Sequence, residues 1–324
     1  MEWLHRFLSR FRFYQYFLDW TKSVILPGFR PLPLYTVASF FFKEIKQDSL
    51  INRASSLAYS FMLAIFPVII FLFTLIPYIP IRGFQDTLLN VIATILPTNA
   101  YEAFYSTIEE IVKIHNFSLL SFGFLSATIF ATNGVIKLMR AFNKSSLVAE
   151  SRTWLKKRWI ALVLTIFIAF TLIVAISILI IGQAVISYIQ HGLHSKSSVW
   201  VYIIMFSRWI IVVLLFFATV SILYRYAPAH KRKWKFLSPG SILATFLAVF
   251  TSLGFSFYIN NFSSYNKIYG SIGTLIVVML WLYLNSLIIL IGFELNASIE
   301  LSKRNVKIVK PRFNTFKGAK SSEQ

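Results

Sequence analysis

Between Ser271 and Leu290 the sequence is almost unbroken apolar, with Asn285 and Ser286 as its clear polar interruptions. About twenty such residues at ~1.5 Å rise match a hydrocarbon layer of about 30 Å, so this stretch reads as a helix that crosses a bilayer. Five more runs meet the same length rule. The predicted spans are 56–80, 117–138, 159–186, 199–223, 239–262 and 271–298. Composition agrees: 57% of residues are hydrophobic and 14% charged, against about 25% charged in a soluble domain. The expected fold is all-α, a polytopic membrane protein whose six-helix transmembrane bundle carries amphipathic interfacial helices.

Three regions follow from this. Residues 1–50 form an amphipathic interfacial segment, 51–300 the six-span membrane domain, and 301–324 a basic tail. In the first, Trp3, Leu4, Phe7, Leu8, Phe11, Tyr14 and Leu18 share one helical stripe, with Arg6 and Arg12 off it. Those arginines, with Arg10 and Asp19, leave no uninterrupted apolar core, so no cleavable signal peptide is expected. A second amphipathic stretch runs from Thr36 to Asp48. Connection 81–116 predicts two amphipathic helices, one opened by the capping-box pair Asn99 and Glu102. Small residues recur at Ser56, Ser60 and Ala64 and again at Ala244, Ala248, Ser252 and Ser256, ridges that let helices approach closely.

Lys and Arg set the orientation. They number eight in 1–55, seven in 137–158, five in 224–237 and seven in 301–324. The alternate connections hold two in 81–116, one in 187–198 and one in 263–270. The positive-inside rule then puts both termini in the cytoplasm. The net charge of +20 is thus a set of bands on one membrane face. Bands of this kind favour anionic lipid headgroups as partners, each charge worth about 1 kcal/mol, and not nucleic acid, which takes a continuous basic groove in a soluble domain.

Polar residues inside the spans are the functional candidates, because lipid makes them costly unless they face protein or a cavity. Arg208, Asn133 and Asn285 are candidates for a polar cavity; the simpler readings are snorkelling for Arg208 and cross-bundle hydrogen bonds for the asparagines. Counted from the outer ends, Glu294 lies at the depth of Arg140 and Arg225, with Lys137 a turn shallower. The expectation is an ion pair between Glu294 and one of these three, either structural or part of a transport step. Asn260, Asn261, Tyr265 and Tyr269 crowd one connection and form a candidate headgroup-facing loop.

Catalytic constellations are missing. There is no Cys, and His5, His115, His191, His194 and His230 are scattered without metal-ligand spacing. No Walker A, G-x-S-x-G or dinucleotide motif occurs, so no metal, no cofactor and no enzymatic activity are expected.

The ordered set Arg53, Ala54, Leu57, Ala58, Tyr59 and Pro67, then Gly134, Ala141-Phe142-Asn143 and Arg152, resembles the YihY / virulence factor BrkB family of bacterial inner-membrane proteins. Its stronger part is C-terminal: Tyr224, Arg225, Pro228, Pro239-Gly240, Tyr258, Phe262, Tyr265, Tyr269-Gly270, Trp281 and Gly292 to Asn296. One departure is Asn285, where the family pattern has a smaller residue such as Ser. The resemblance covers about residues 40 to 300 and implies a six-helix inner-membrane fold linked to envelope integrity and lipid or solute export. Members also carry the label ribonuclease BN, for which this sequence shows no ligand cluster. The leading expectation is a transporter or flippase-like protein for an envelope lipid or anionic amphiphile. The alternatives are a non-transporting envelope scaffold and, third, a membrane-bound ribonuclease.

Overall fold

The computed structural model describes residues 12–25, 28–29, 32–47, 50–80, 83–95, 105–106, 109–110, 112–192, 199–229, 234–261 and 271–309. Among them the elements are α-helices, apart from one 3-10 turn over Ile76–Tyr78. The helices are α1 (Arg12–Ser23), α2 (Leu34–Gln47), α3 (Leu50–Leu75), α4 (Phe84–Ile95), α5 (Phe117–Ser145), α6 (Trp154–Gly192), α7 (Val199–Tyr226), α8 (Pro239–Asn261) and α9 (Ser271–Val309). Six of them, α3 and α5 to α9, are long and apolar enough to cross a membrane.

Several helices run past their expected boundaries, and most of these extensions add charged residues, as at the end of α5, which continues to Ser145 and takes in Arg140 and Lys144. α3 begins at Leu50, six residues before the predicted start, which brings Arg53 into the span. It continues through Pro67 without breaking. α6 begins at Trp154, so Lys156, Lys157 and Arg158 form its first turn instead of a connection. α9 runs on to Val309. Hydropathy places the apolar middle of a span, whereas backbone hydrogen bonding continues into polar sequence at its ends.

The spans close into a ring. α3 packs on α5, α5 on α6, α6 on α7, α7 on α8 and α8 on α9, while α9 returns to both α3 and α5. α2 docks on α9 through Val37 and Ile299, joined by Phe29 and Leu32. Lys303 Nζ donates to the Gly28 carbonyl beside this contact.

Burial is concentrated at one end, the Lys/Arg-rich end, called here the basic end. Leu57 of α3, Phe142 of α5, Tyr224 of α7, Ala244 of α8 and Phe293 of α9 meet there. Phe142 stacks on Phe293 with centroids 4.0 Å apart, and Tyr224 meets both rings edge-on. The far halves of the same helices are largely exposed apolar surface, as membrane spans require. The small-residue ridge of α8 follows that division. Ala244 and Ala248 are buried against α9, but Ser252 and Ser256 are exposed, so the ridge packs over only half its expected length.

Of the two helices expected in connection 81–116, the first is α4. The second, with its cap at Asn99 and Glu102, lies mostly outside the described residues. Lys113 Nζ reaches Asp86 of α4 and Glu109, both at 3.3 Å, tying these pieces together. Residues 1–11, carrying much of the N-terminal stripe, lie outside the described residues as well.

Candidate functional site

The basic end is assembled from polar groups that lipid would not tolerate. Arg53 enters from α3 and its Nη1 donates to the Ala141 carbonyl at 2.9 Å and to Ser145 Oγ at 2.6 Å. Its Nη2 lies 3.5 Å from Glu294 Oε2. Both side chains are buried, at 9% and 1% exposure. The cation that the structure places on Glu294 is thus Arg53, where Arg140, Lys137 or Arg225 was expected. Arg140 is exposed, Lys137 sits 5.9 Å over the Tyr59 ring, and Arg225 lies against Tyr226. The physical reason is the end of α5. Its last carbonyls carry the negative pole of the helix dipole, and Arg53 answers that pole and Glu294 with one guanidinium.

Next to this pair, Asn296 accepts from the Gly240 amide at 2.8 Å and donates to Ser238 Oγ at 2.9 Å, locking the start of α8 to α9. The helices touch through glycines. A methyl on Gly240 would overlap the Gly292 carbonyl, and one on Gly292 would lie 2.5 Å from Tyr224 Oη. That hydroxyl donates to the Ile289 carbonyl at 2.7 Å.

A third knot holds the α5–α6 connection. Leu147, with φ 52°, takes the left-handed conformation that ends many helices and turns the chain back. Asn143 Nδ2 then donates to Glu150 Oε2 at 2.9 Å, and Arg152 grips the same carboxylate twice, from Nε at 2.7 Å and Nη2 at 2.9 Å. Asn143 Oδ1 accepts from the Ala229 amide and Arg152 donates to the Ala227 carbonyl, which clamps this connection to the end of α7. The paired Arg152 guanidinium holds the Glu150 carboxyl below its usual range against the opposing effect of partial burial.

The three residues expected to line one polar cavity are not brought together. Arg208 Nη1 donates to Gln183 Oε1 of α6 at 3.0 Å, and its guanidinium lies 5.9 Å from the Trp209 ring. Asn133 accepts from Arg158 Nη1 at 2.8 Å. Gln183 and Arg158 stand 25 positions apart on α6, about 37 Å along its axis, so these two groups occupy opposite ends of the bundle. Asn285 turns inward on its own helix and donates to the Trp281 carbonyl at 2.8 Å. Of the candidate loop, Tyr265 and Tyr269 lie outside the described residues, as do the side chains of Asn260 and Asn261 at the end of α8.

What the structure does assemble is a basic groove of about 300 Å³ among α3, α5 and α6. Lys137 and Arg140 line it from α5, Lys157 and Arg158 from α6, and Ser60 from α3. Asn133, Phe130 and Trp154 add polar and aromatic lining, and among the described residues no acid lines it. Arg158 is steered by Asn133 and by Trp154, whose ring lies 5.5 Å from its guanidinium. Four cations in so small a space repel one another, and the first turn of α6 adds the positive pole of a helix dipole. An anion with an apolar body offsets both. Hydropathy places Lys157 and Arg158 in a connection; the signal that α6 starts earlier is Thr153, whose hydroxyl accepts from the Lys156 amide at 3.4 Å as a helix N-cap does.

Among the described residues, no group of three or more His, Cys, Asp or Glu stands close enough to hold a metal ion. No solved structure matches the chain. The sequence signature of the family described as virulence factor BrkB matches residues 41–313. A Bacillus subtilis protein named ribonuclease-like protein YfkH is 34% identical over 256 residues, 78% of this chain and 91% of that protein. A UPF0761 membrane protein of Xanthomonas campestris is 24% identical over 262 residues, and the aligned part spans 60% of its length. A UPF0761 membrane protein of Xanthomonas axonopodis aligns with the same identity and coverage. With six spanning helices and a signature covering most of its length, the chain belongs to the virulence factor BrkB family of membrane proteins.

Proposed function

We propose that this protein is a transporter or flippase-like protein for an anionic amphiphile of the cell envelope. Its basic end faces the cytoplasm of a bacterial inner membrane and receives the substrate there. The observation that carries the reading is the groove lined by Lys137, Arg140, Lys157 and Arg158 with no acid beside them among the described residues. Low-dielectric walls on either side focus the field of these cations onto whatever enters, and anionic headgroups are the abundant anions at that depth. The far halves of the helices, which bury few side chains against one another, supply the part of the bundle able to rearrange, whereas the knots at the basic end hold the entrance in shape.

A non-transporting scaffold is favoured by a different observation, the closure of the bundle at Gly240, Gly292 and Asn296. Reconstitution separates the two. In phosphatidylcholine vesicles carrying a trace of head-labelled phosphatidylglycerol, with and without an imposed proton gradient, the protein should expose inner-leaflet label to an added membrane-impermeant reductant. Arg140→Gln with Lys157→Gln should slow that exposure. Label that stays protected under both conditions would leave the scaffold reading in place.

A further inference from the structure

Beside the basic groove, between α5 and α6, lies an apolar recess of about 570 Å³. Arg158 lines both spaces, and the consecutive residues Thr132 and Asn133 of α5 divide them, Thr132 on the recess and Asn133 on the groove. α5 runs toward the basic end and α6 away from it. On α5 the recess residues Thr128, Ile129 and Thr132 are therefore deeper in the membrane than the groove residues Lys137 and Arg140, while on α6 the recess runs from Lys156, level with Lys157, inward to Leu162. Cations at the membrane boundary, with Lys156 and Arg158 at the mouth of the recess, and an apolar inner part reaching Ile129 and Leu162 repeat the polarity of a lipid standing in that leaflet.

Thr132 supplies an independent sign of a ligand. Thr128, Thr165, Thr171, Thr219 and Thr245 each donate to the carbonyl four residues earlier, the ordinary solution for a threonine in a helix. The Thr132 hydroxyl is buried, at 5% exposure, yet finds no hydrogen-bond partner among the described residues. A buried hydroxyl without a partner is costly, and this one borders the recess at the seam between its two compartments.

We propose that groove and recess form one site for an anionic glycerophospholipid. Its phosphate lies among Lys137, Lys157 and Arg158, an acyl chain fills the recess, and the ester carbonyl at the seam accepts a hydrogen bond from Thr132. This deepens the function proposed above and rests on it for the anionic headgroup, while the chain compartment and the ester contact stand on separate residues.

The test is native mass spectrometry of the purified full chain, titrated with dioleoyl phosphatidylglycerol, its ether-linked analogue, dioleoyl phosphatidylcholine and glycerol phosphate. The ester-linked phosphatidylglycerol should bind most tightly, and glycerol phosphate least. Lys157→Gln should weaken it about fivefold, the factor matching ~1 kcal/mol per cation, and Lys235→Gln, in another connection, should not. Thr132→Val should weaken the ester-linked lipid and leave the ether-linked one unchanged. Ile129→Trp should block the recess; Ile129 is 54% exposed, so the added bulk does not disturb packing, and Leu162→Trp repeats the block from α6. If both tryptophans leave phosphatidylglycerol binding intact while Lys157→Gln weakens it, the two-part site is wrong and the headgroup reading survives. If phosphatidylcholine binds equally well in the unaltered protein, both fail. Glycerol phosphate binding as tightly as the lipid would make the groove a soluble-phosphate site and overturn the proposal.

Discussion

Arg53 and Glu294 lie at opposite ends of the sequence and share one buried contact, 3.5 Å apart, near the basic end of the bundle. The depth of Glu294 was legible from residue counting, and so was its need for a cation. The identity of that cation was not, because hydropathy starts the first span at Ser56 and leaves Arg53 outside. Removing one partner from a buried pair strands the other charge, at a cost of about 3–5 kcal/mol. Glu294→Gln and Arg53→Gln should each lower the melting temperature in detergent, and the double variant should lose clearly less than the sum. Arg140→Gln combined with Glu294→Gln should instead be additive, since Arg140 is exposed. Coupling to Arg140 but not to Arg53 would refute the assignment.

Glu150 gives a pH dependence of known sign. Arg152 holds its folded-state carboxyl below the value it has when unfolded. Its contribution to stability is thus complete above the ordinary glutamate range near ~4.3 and is lost as pH falls through the lower, folded value. Melting temperatures measured downward from neutral pH should fall more steeply in the unaltered protein than in Glu150→Gln. Parallel curves would show that the carboxylate adds nothing to the clamp on α7.

At the scale of elements, the spacing of small residues predicted close approach on α8 but not where it stops. The contact is made by Gly240 and Ala244 against Gly292, and the ridge beyond Ala248 is exposed. Such a limit depends on where the neighbouring helix diverges, which one sequence pattern cannot encode. Gly292→Ala forces a methyl against Tyr224 Oη and the Gly240 carbonyl, so it should destabilise by about 1–3 kcal/mol, the usual cost of overpacking. Gly254, with nothing within 4 Å of an added methyl, gives the converse. Gly254→Ala should be neutral or stabilising by up to about 1 kcal/mol, the difference in helix propensity. Thermal melting of the two variants side by side checks both; an equal loss would mean that α8 packs along its full length.

For the whole molecule, six spans and the clustering of Lys and Arg were readable because bilayer thickness and charge asymmetry act on composition alone. The groove was not readable, since it combines α3, α5 and α6, and two of its cations sit in a helical turn that hydropathy excludes. Reporter fusions after Asn143, His230 and Arg312 should score cytoplasmic, and fusions near Asn99, His194 and Asn266 should score on the opposite side. A cytoplasmic score at His194 with the reverse at His230 would turn the groove away from the cytoplasm.

The most direct measurement is the lipid that the protein carries with it. Material purified in mild detergent should hold anionic phospholipid enriched over a total extract of the same membranes, and Arg140→Gln with Lys157→Gln should return the ratio toward that of the extract. Co-purified lipid that mirrors the bulk membrane in both proteins would contradict an anionic amphiphile as the occupant of the groove.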